Sequence, residues 1–134
     1  MQGLMQDEPL TLTMLFRRAE TLWPDKPLVT AALGPGSPGA GPDGLRRTTY
    51  GQWAARTRLA GGTLDQLGVS ADGRVATFAW NSDRHLELYF AAPCTGRVLH
   101  TLNIRLFADQ LIYVVNHAED EVIFADRSLL GILW

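Results

Sequence analysis

Three polar side chains, His100, Asn103 and Arg105, follow one another closely at the end of the apolar run Val98–Leu102. An imidazole, an amide and a guanidinium offer proton transfer, neutral hydrogen bonding and anion binding. The run reads as a central parallel strand, and ligands of open α/β sheets sit at the carboxyl ends of such strands. The three are therefore candidates for a ligand edge. A second reading stands beside it, in which Asn103 fixes the turn and Arg105 pairs with a nearby carboxylate. His85 opens a helical segment. Its type suits a general base, and its position suits a polar helix residue with ordinary hydrogen bonds. His117 lies beside Asn116, Glu119 and Asp120, without the His-x-x-x-His or Cys-x-x-Cys spacing of a metal site; the cluster reads as a solvated acidic turn. Asp83, Glu87 and Asp126 form no recognisable carboxylate pair. Cys94, the single cysteine, lacks an activating neighbour and reads as a small core filler. No catalytic residue and no metal site is assigned.

The elements that would position these groups follow from apolar spacing. Leu12, Leu15, Phe16, Ala19 and Leu22 recur at helical intervals, with Thr11 or Thr13 as cap. Trp23-Pro24 ends that helix, because a residue before proline avoids helical geometry. Pro27–Leu33 reads as a strand. Gly34–Gly44, GPGSPGAGPDG, lacks the Gly-Lys-Ser/Thr ending of a phosphate cradle and reads as a hairpin tip joining Leu28–Leu33 to Arg46–Tyr50. Thr49 caps a second helix whose stripe is Trp53, Ala54, Leu59, Ala60, Leu64 and Leu67. Gly61-Gly62 inside it costs about 1 kcal/mol each relative to alanine and signals either close packing or relaxed constraint.

Gly68 closes that helix, and Asp72-Gly73 turns the chain into strand Arg74–Trp80. Asn81 or Ser82 caps a third helix, Ser82–Ala92, with Leu86, Tyr89 and Phe90 inward. Strand Val98–Leu102 follows, then helix Asp109–Asn116 on Leu111, Ile112 and Val115. Strand Glu121–Asp126 comes next, and a last helix starts at Ser128. Near-continuous apolar strands separated by helices predict a parallel sheet with crossover helices. The fold class is α/β: a partial doubly wound parallel sheet, residues 51–134, preceded in residues 12–50 by an N-terminal helix and a small β-hairpin.

Net charge is −2 and charged residues are 19% of the chain, with no Lys/Arg cluster, which argues against a nucleic-acid partner. One thiol excludes an intrachain disulfide and favours a reducing, cytoplasmic setting. The acidic N-terminus is not a secretory signal. No apolar stretch approaches the ~18 residues of a membrane span.

Three blocks carry a resemblance: LDQLGVSADGRVA, then NSDRHLELYFAAPCTGRVLHTLNIRL, then DQLIYVVNHAEDEVIFAD. In this order, after Thr49-Tyr50, they resemble the N-terminal region of acyl-CoA synthetases. These belong to the adenylate-forming, AMP-binding superfamily, and the wording is most similar to long- and medium-chain fatty-acid–CoA ligases. The likeness runs from about Leu12 to Leu130. Two departures are plain: Asp72-Gly73-Arg74-Val75 replaces the family's Gly-Asp-Arg-Val, and the Gly/Pro tip is longer than the family's hairpin. The resemblance implies ATP-driven activation of a fatty acid to an acyl-adenylate and transfer to CoA. ATP, Mg and CoA are thereby implied for a full-length enzyme, and none for this chain alone. The phosphate loop, the acidic Mg-linked motif, the ribose-binding aspartate and the catalytic lysine of the family find no match before Trp134. The chain is therefore expected to be an inactive fragment that a downstream polypeptide complements, or that self-associates through an open sheet edge and Leu129, Leu130, Ile132, Leu133 and Trp134. The rival is a non-catalytic α/β module that binds a partner chain or small ligand.

Overall fold

The structure, a computed structural model, describes residues 3–4, 7–32 and 39–133. Helix α1 (Leu12–Leu22) starts at Thr11, whose hydroxyl accepts the Met14 N–H. Strands β1 (Pro27–Ala31) and β2 (Leu45–Thr49) pair antiparallel, Val29 opposite Arg47. Leu33 and residues 34–38 of the expected tip lie outside the described residues; beyond them Gly39 and Gly44 take positive φ. Helix α2 (Tyr50–Gln66) opens on a reciprocal cap: the Gln52 N–H donates to Thr49 Oγ1 at 3.2 Å, and the Thr49 N–H to Gln52 Oε1 at 3.1 Å.

Then come β3 (Arg74–Phe78), α3 (Asp83–Cys94), β4 (Val98–Thr101), α4 (Ala108–Ala118) and β5 (Val122–Ala125). A 3₁₀ turn at Arg127–Leu129 leads into α5 (Leu130–Leu133). The three strands are parallel in the order β4-β3-β5. Hence β3 is central, and Val98–Thr101, expected to be central, is at an edge of the described sheet. The chain leaves β3 toward one side through α3 and reaches the other side through α4. Right-handed crossovers in opposite directions put these helices on opposite faces.

Alternation along β3 serves both layers. Val75 packs with Leu64, Val69 and Ala92 on the α2–α3 side, while Ala76 and Phe78 pack with Leu102, Leu111 and Leu129 on the α4 side. Leu129 is thus buried rather than stranded, a correction to the exposed terminus expected from sequence. A third cluster, Phe16, Trp53 and Ala54, joins α1 to α2 and α3, with Trp53 set edge-on to Phe90 at 5.0 Å.

The inward stripes also differ from expectation. On α2 the buried line is Trp53, Ala54, Thr57, Gly61 and Leu64; Leu59 and Leu67 face out. The helical angle from Trp53 favours Thr57 and Gly61 over Leu59. On α3, Asp83, His85 and Glu87 take buried positions while Tyr89 is exposed. On α4, Leu111 is buried and Ile112 is not. Gly73 has a steric reason: a Cβ there would meet Glu121 Oε1 at 2.6 Å and the Ser70 carbonyl at 2.8 Å. Asp72 takes the left-handed conformation beside it, φ 62°.

Candidate functional site

The proposed ligand edge separates into three differently employed side chains. His100 pairs with Ala76 across the sheet, and its Nδ1 lies 2.9 Å from both oxygens of Asp120, whose side chain is fully buried. The imidazole thereby ties β4 to the turn before β5. Asn103 Oδ1 accepts the Arg105 N–H at 3.0 Å, the side-chain turn of the second reading. Arg105 is exposed, and its expected carboxylate partner is not among the described ion pairs. The structure thus brings Asn103 and Arg105 together through a backbone bond and engages His100 elsewhere.

The topological switch lies at a different place, between the carboxyl ends of β3 and β5, where crevices of open sheets form. Here the Trp80 N–H donates to Asp126 Oδ2 at 2.7 Å, Trp80 Nε1–H to Ser128 Oγ at 3.0 Å, and the Asp126 N–H to the Phe78 carbonyl at 3.0 Å. A cavity of about 170 Å³ opens beside them, lined in part by Ala79, His85, Phe124 and Asp126. His85 is brought there by α3, whose cap Ser82 accepts the His85 N–H at 3.3 Å. Its Nε2 lies 2.9 Å from Thr77 Oγ1 on β3, its ring is 4.7 Å from Tyr89, and Nδ1 is buried without a hydrogen-bond partner. Burial holds its pKa below the usual imidazole value, against the opposing pull of the Trp80 backbone and the Asp126 carboxylate. His85 is therefore a buried imidazole whose charged form the fold disfavours.

Next to it α3 carries two buried carboxylates. Asp83 receives a fork from Arg46, with Nε at 3.1 Å and Nη2 closer, and its N–H donates to Thr30 Oγ1 at 3.1 Å. These bonds fasten the hairpin to α3. Glu87 accepts from Arg56 at 2.6 Å and 3.2 Å and from Arg84 at 3.0 Å. Burial pushes the Glu87 carboxyl above its usual value and outweighs the lowering by Arg56. The sequence named Asp83, Glu87 and Asp126 without linking them to arginines. The missed signal was Arg46 and Arg56, each remote in sequence, and a strand order that sets Asp126 beside β3.

The model of the AMP-binding enzyme family matches residues 16–132. The chain belongs to the AMP-binding enzyme family. Within that family it is 38% identical over 134 residues to 3-methylmercaptopropionyl-CoA ligase of Ruegeria lacuscaerulensis, covering 99% of this chain and 23% of that one. It is 42% identical over 129 residues to long-chain-fatty-acid–CoA ligase of Thermus thermophilus, covering 96% and 22%. A fatty acyl CoA synthetase structure from Mycobacterium tuberculosis superposes with a TM-score of 0.76 at 22% identity, covering 92% of this chain and 22% of that one. The chain spans under a quarter of the length of these curated relatives.

ATP and Mg are what an AMP-binding enzyme implies. No three His, Cys, Asp or Glu among them converge as a metal site. Asp126, the carboxylate at the crevice, already accepts the Trp80 N–H. Arg84, which lines that cavity, is committed to Glu87, while exposed Arg127, next to Asp126, is in none of the described ion pairs. These residues do not fit a magnesium triphosphate. No helix among the described residues is long and apolar enough to cross a membrane.

Proposed function

We propose that this chain supplies the hairpin and the first α/β half of the large domain of a fatty-acid–CoA ligase, an enzyme that activates a fatty acid with ATP to an acyl-adenylate and passes the acyl group to CoA. The observation that carries the reading is the 42% identity to the Thermus thermophilus long-chain ligase over 96% of this chain. Residues 12–50 are the helix and hairpin, and 51–134 the α/β half-domain. The contribution of this stretch is positional. Arg46–Asp83 holds the hairpin on α3, and the sheet presents the β3–β5 crevice and the exposed Arg105 at its carboxyl edge. Arg105 is the group of the ligand edge that is free to meet an anion there, with Asn103 shaping its turn.

Adenylation requires positioned phosphates and concentrated positive charge, since electrostatic stabilisation and orientation supply most of the rate. The described residues converge on no metal site and the crevice carboxylate Asp126 is already bonded to Trp80, so residues 1–134 alone catalyse neither half-reaction in this reading, and a complementing polypeptide supplies the rest. The test is fatty-acid-dependent exchange of pyrophosphate into ATP, measured on the purified chain and on the chain co-expressed with the remaining length of a relative. Exchange only in the mixture is expected. Robust exchange by the chain alone, free of contaminating ligase, overturns the proposal.

A further inference from the structure

β5 stands at one side of the described sheet, and its outer edge has no neighbour among the described strands. The register sets Ile123 beside Ala76 and Ala125 beside Phe78, and the Asp126 N–H donates to the Phe78 carbonyl at 3.0 Å. In a parallel ladder successive residues bond to opposite neighbours, so the N–H and C=O groups of Ile123 and Ala125 turn away from β3. Two cavities open beside this edge on the α2–α3 face, of about 300 Å³ and about 170 Å³, and both are walled by Arg84, Leu88 and Phe124. Parallel strands are ordinarily covered on both faces, whereas Ile123 is 38% exposed.

The course of the chain decides what belongs there. The connection from β4 through α4 to β5 passes over one face of the sheet, from the β4 side to the β5 side. Beyond β5 the chain stays on that face, because Leu129 packs with Ala76, Phe78, Leu102 and Leu111. A right-handed crossover that leaves β5 on the same face must go on in the same direction. Its next parallel strand therefore lands outside β5 and does not return toward β4. More than three quarters of each curated relative lies outside the part matched by this chain. On the reading of this chain as one segment of a fatty-acid–CoA ligase, we propose that the ligase segment following α5 docks as a parallel strand on the free edge of β5. Its backbone completes the ladder at Ile123 and Ala125, and its alternate apolar side chains enter the groove of Leu88 and Phe124. A second copy of the chain fits less well. Identical edges brought together by a twofold axis run antiparallel, whereas the crossover delivers a parallel strand.

The test is amide hydrogen exchange, read residue by residue by NMR on the isotope-labelled chain, free and co-expressed with the remaining length of a relative. In the complex the Ile123 and Ala125 amides are expected to exchange about tenfold or more slowly than in the free chain. Ile123→Pro removes one outward N–H, a change that an unpaired edge tolerates. With helix content unchanged by circular dichroism, this variant is expected to weaken association by about tenfold or more. Should it fail to fold, the wild-type exchange decides by itself. Protection gained at β4 in place of β5 overturns the proposal, and so does the absence of a complex. So does a proline variant that folds and binds as tightly as wild type. Slow exchange of the two amides in the free chain also overturns it and assigns the edge to a second copy. Pyrophosphate exchange into ATP separates this placement from the ligase reading. Restored activity with Ile123 and Ala125 unprotected overturns the placement alone. A protected edge without restored activity upholds the placement and overturns the ligase reading.

Discussion

His85 shows what burial does to a single side chain. The sequence offers an imidazole at a helix start; the fold removes it from water and leaves one ring nitrogen unpartnered. Its pKa is depressed below the ordinary 6.5. Below that pH the unfolded chain binds a proton that the folded chain refuses, so stability falls with falling pH. The stability associated with His85 is complete above pH 6.5 and is lost progressively on acidification. Denaturant melts between pH 7 and pH 5 are expected to show this slope in wild type and to lose that component in His85→Gln. Equal slopes in the two proteins would sink the assignment. Glu87 acts in the opposite sense, because its raised pKa makes the charged form the costly one. Stability linked to Glu87 is full below its unfolded value of 4.5 and declines as pH rises through the folded one.

At the scale of the element, α2 separates two adjacent glycines that look alike in sequence. A Cβ on Gly61 would meet Thr95 Cγ2 at 3.0 Å, whereas one on Gly62 would meet nothing within 4 Å. Gly61 thus allows α2 to lie close against the end of α3, and Gly62 carries only the helix penalty. Gly62→Ala is expected to raise stability by about 0.5–1 kcal/mol. Gly61→Ala is expected to gain less or to lose, since the Thr95 methyl must move. Thermal unfolding of the two single variants decides it; equal gains would mean that the α2–α3 approach does not need Gly61. Gly61 therefore fits the close-packing alternative, against the end of α3 rather than against the sheet.

At the scale of the molecule, the sheet has one strand flanked on both sides. Every β3 residue from Val75 to Thr77 has partners in β4 and β5, while β4 and β5 each have one described neighbour. Native-state hydrogen exchange is expected to be slowest for the amides of β3 and faster for the amides of β4 and β5 that point away from it, because local opening follows contact density. Uniform protection across the three strands would instead indicate that both edges are covered in solution.

Apolar periodicity determined which segments are strands and helices and that the strands after Arg74 are parallel, and residue type placed the cap at Thr49 but left Asn81 or Ser82 open, which the structure resolves to Ser82. These are local properties: residue spacing sets which face is buried, and capping groups act within a few residues. The family blocks were legible for the same reason, being contiguous strings. Strand order was not local. Nothing in the run Val98–Leu102 says that it lies at one side of β3 and Val122–Ala125 at the other, so the sequence could not foresee the crevice between β3 and β5 that His85 and Asp126 line. Nor could spacing foresee that Asp83, His85 and Glu87 would be buried on α3. That burial depends on Arg46, Arg56, Thr30 and Thr77, which are remote in sequence from α3 or on another element. Only the folded chain brings these groups within hydrogen-bonding distance, and without them polar side chains at those positions would have stayed in water.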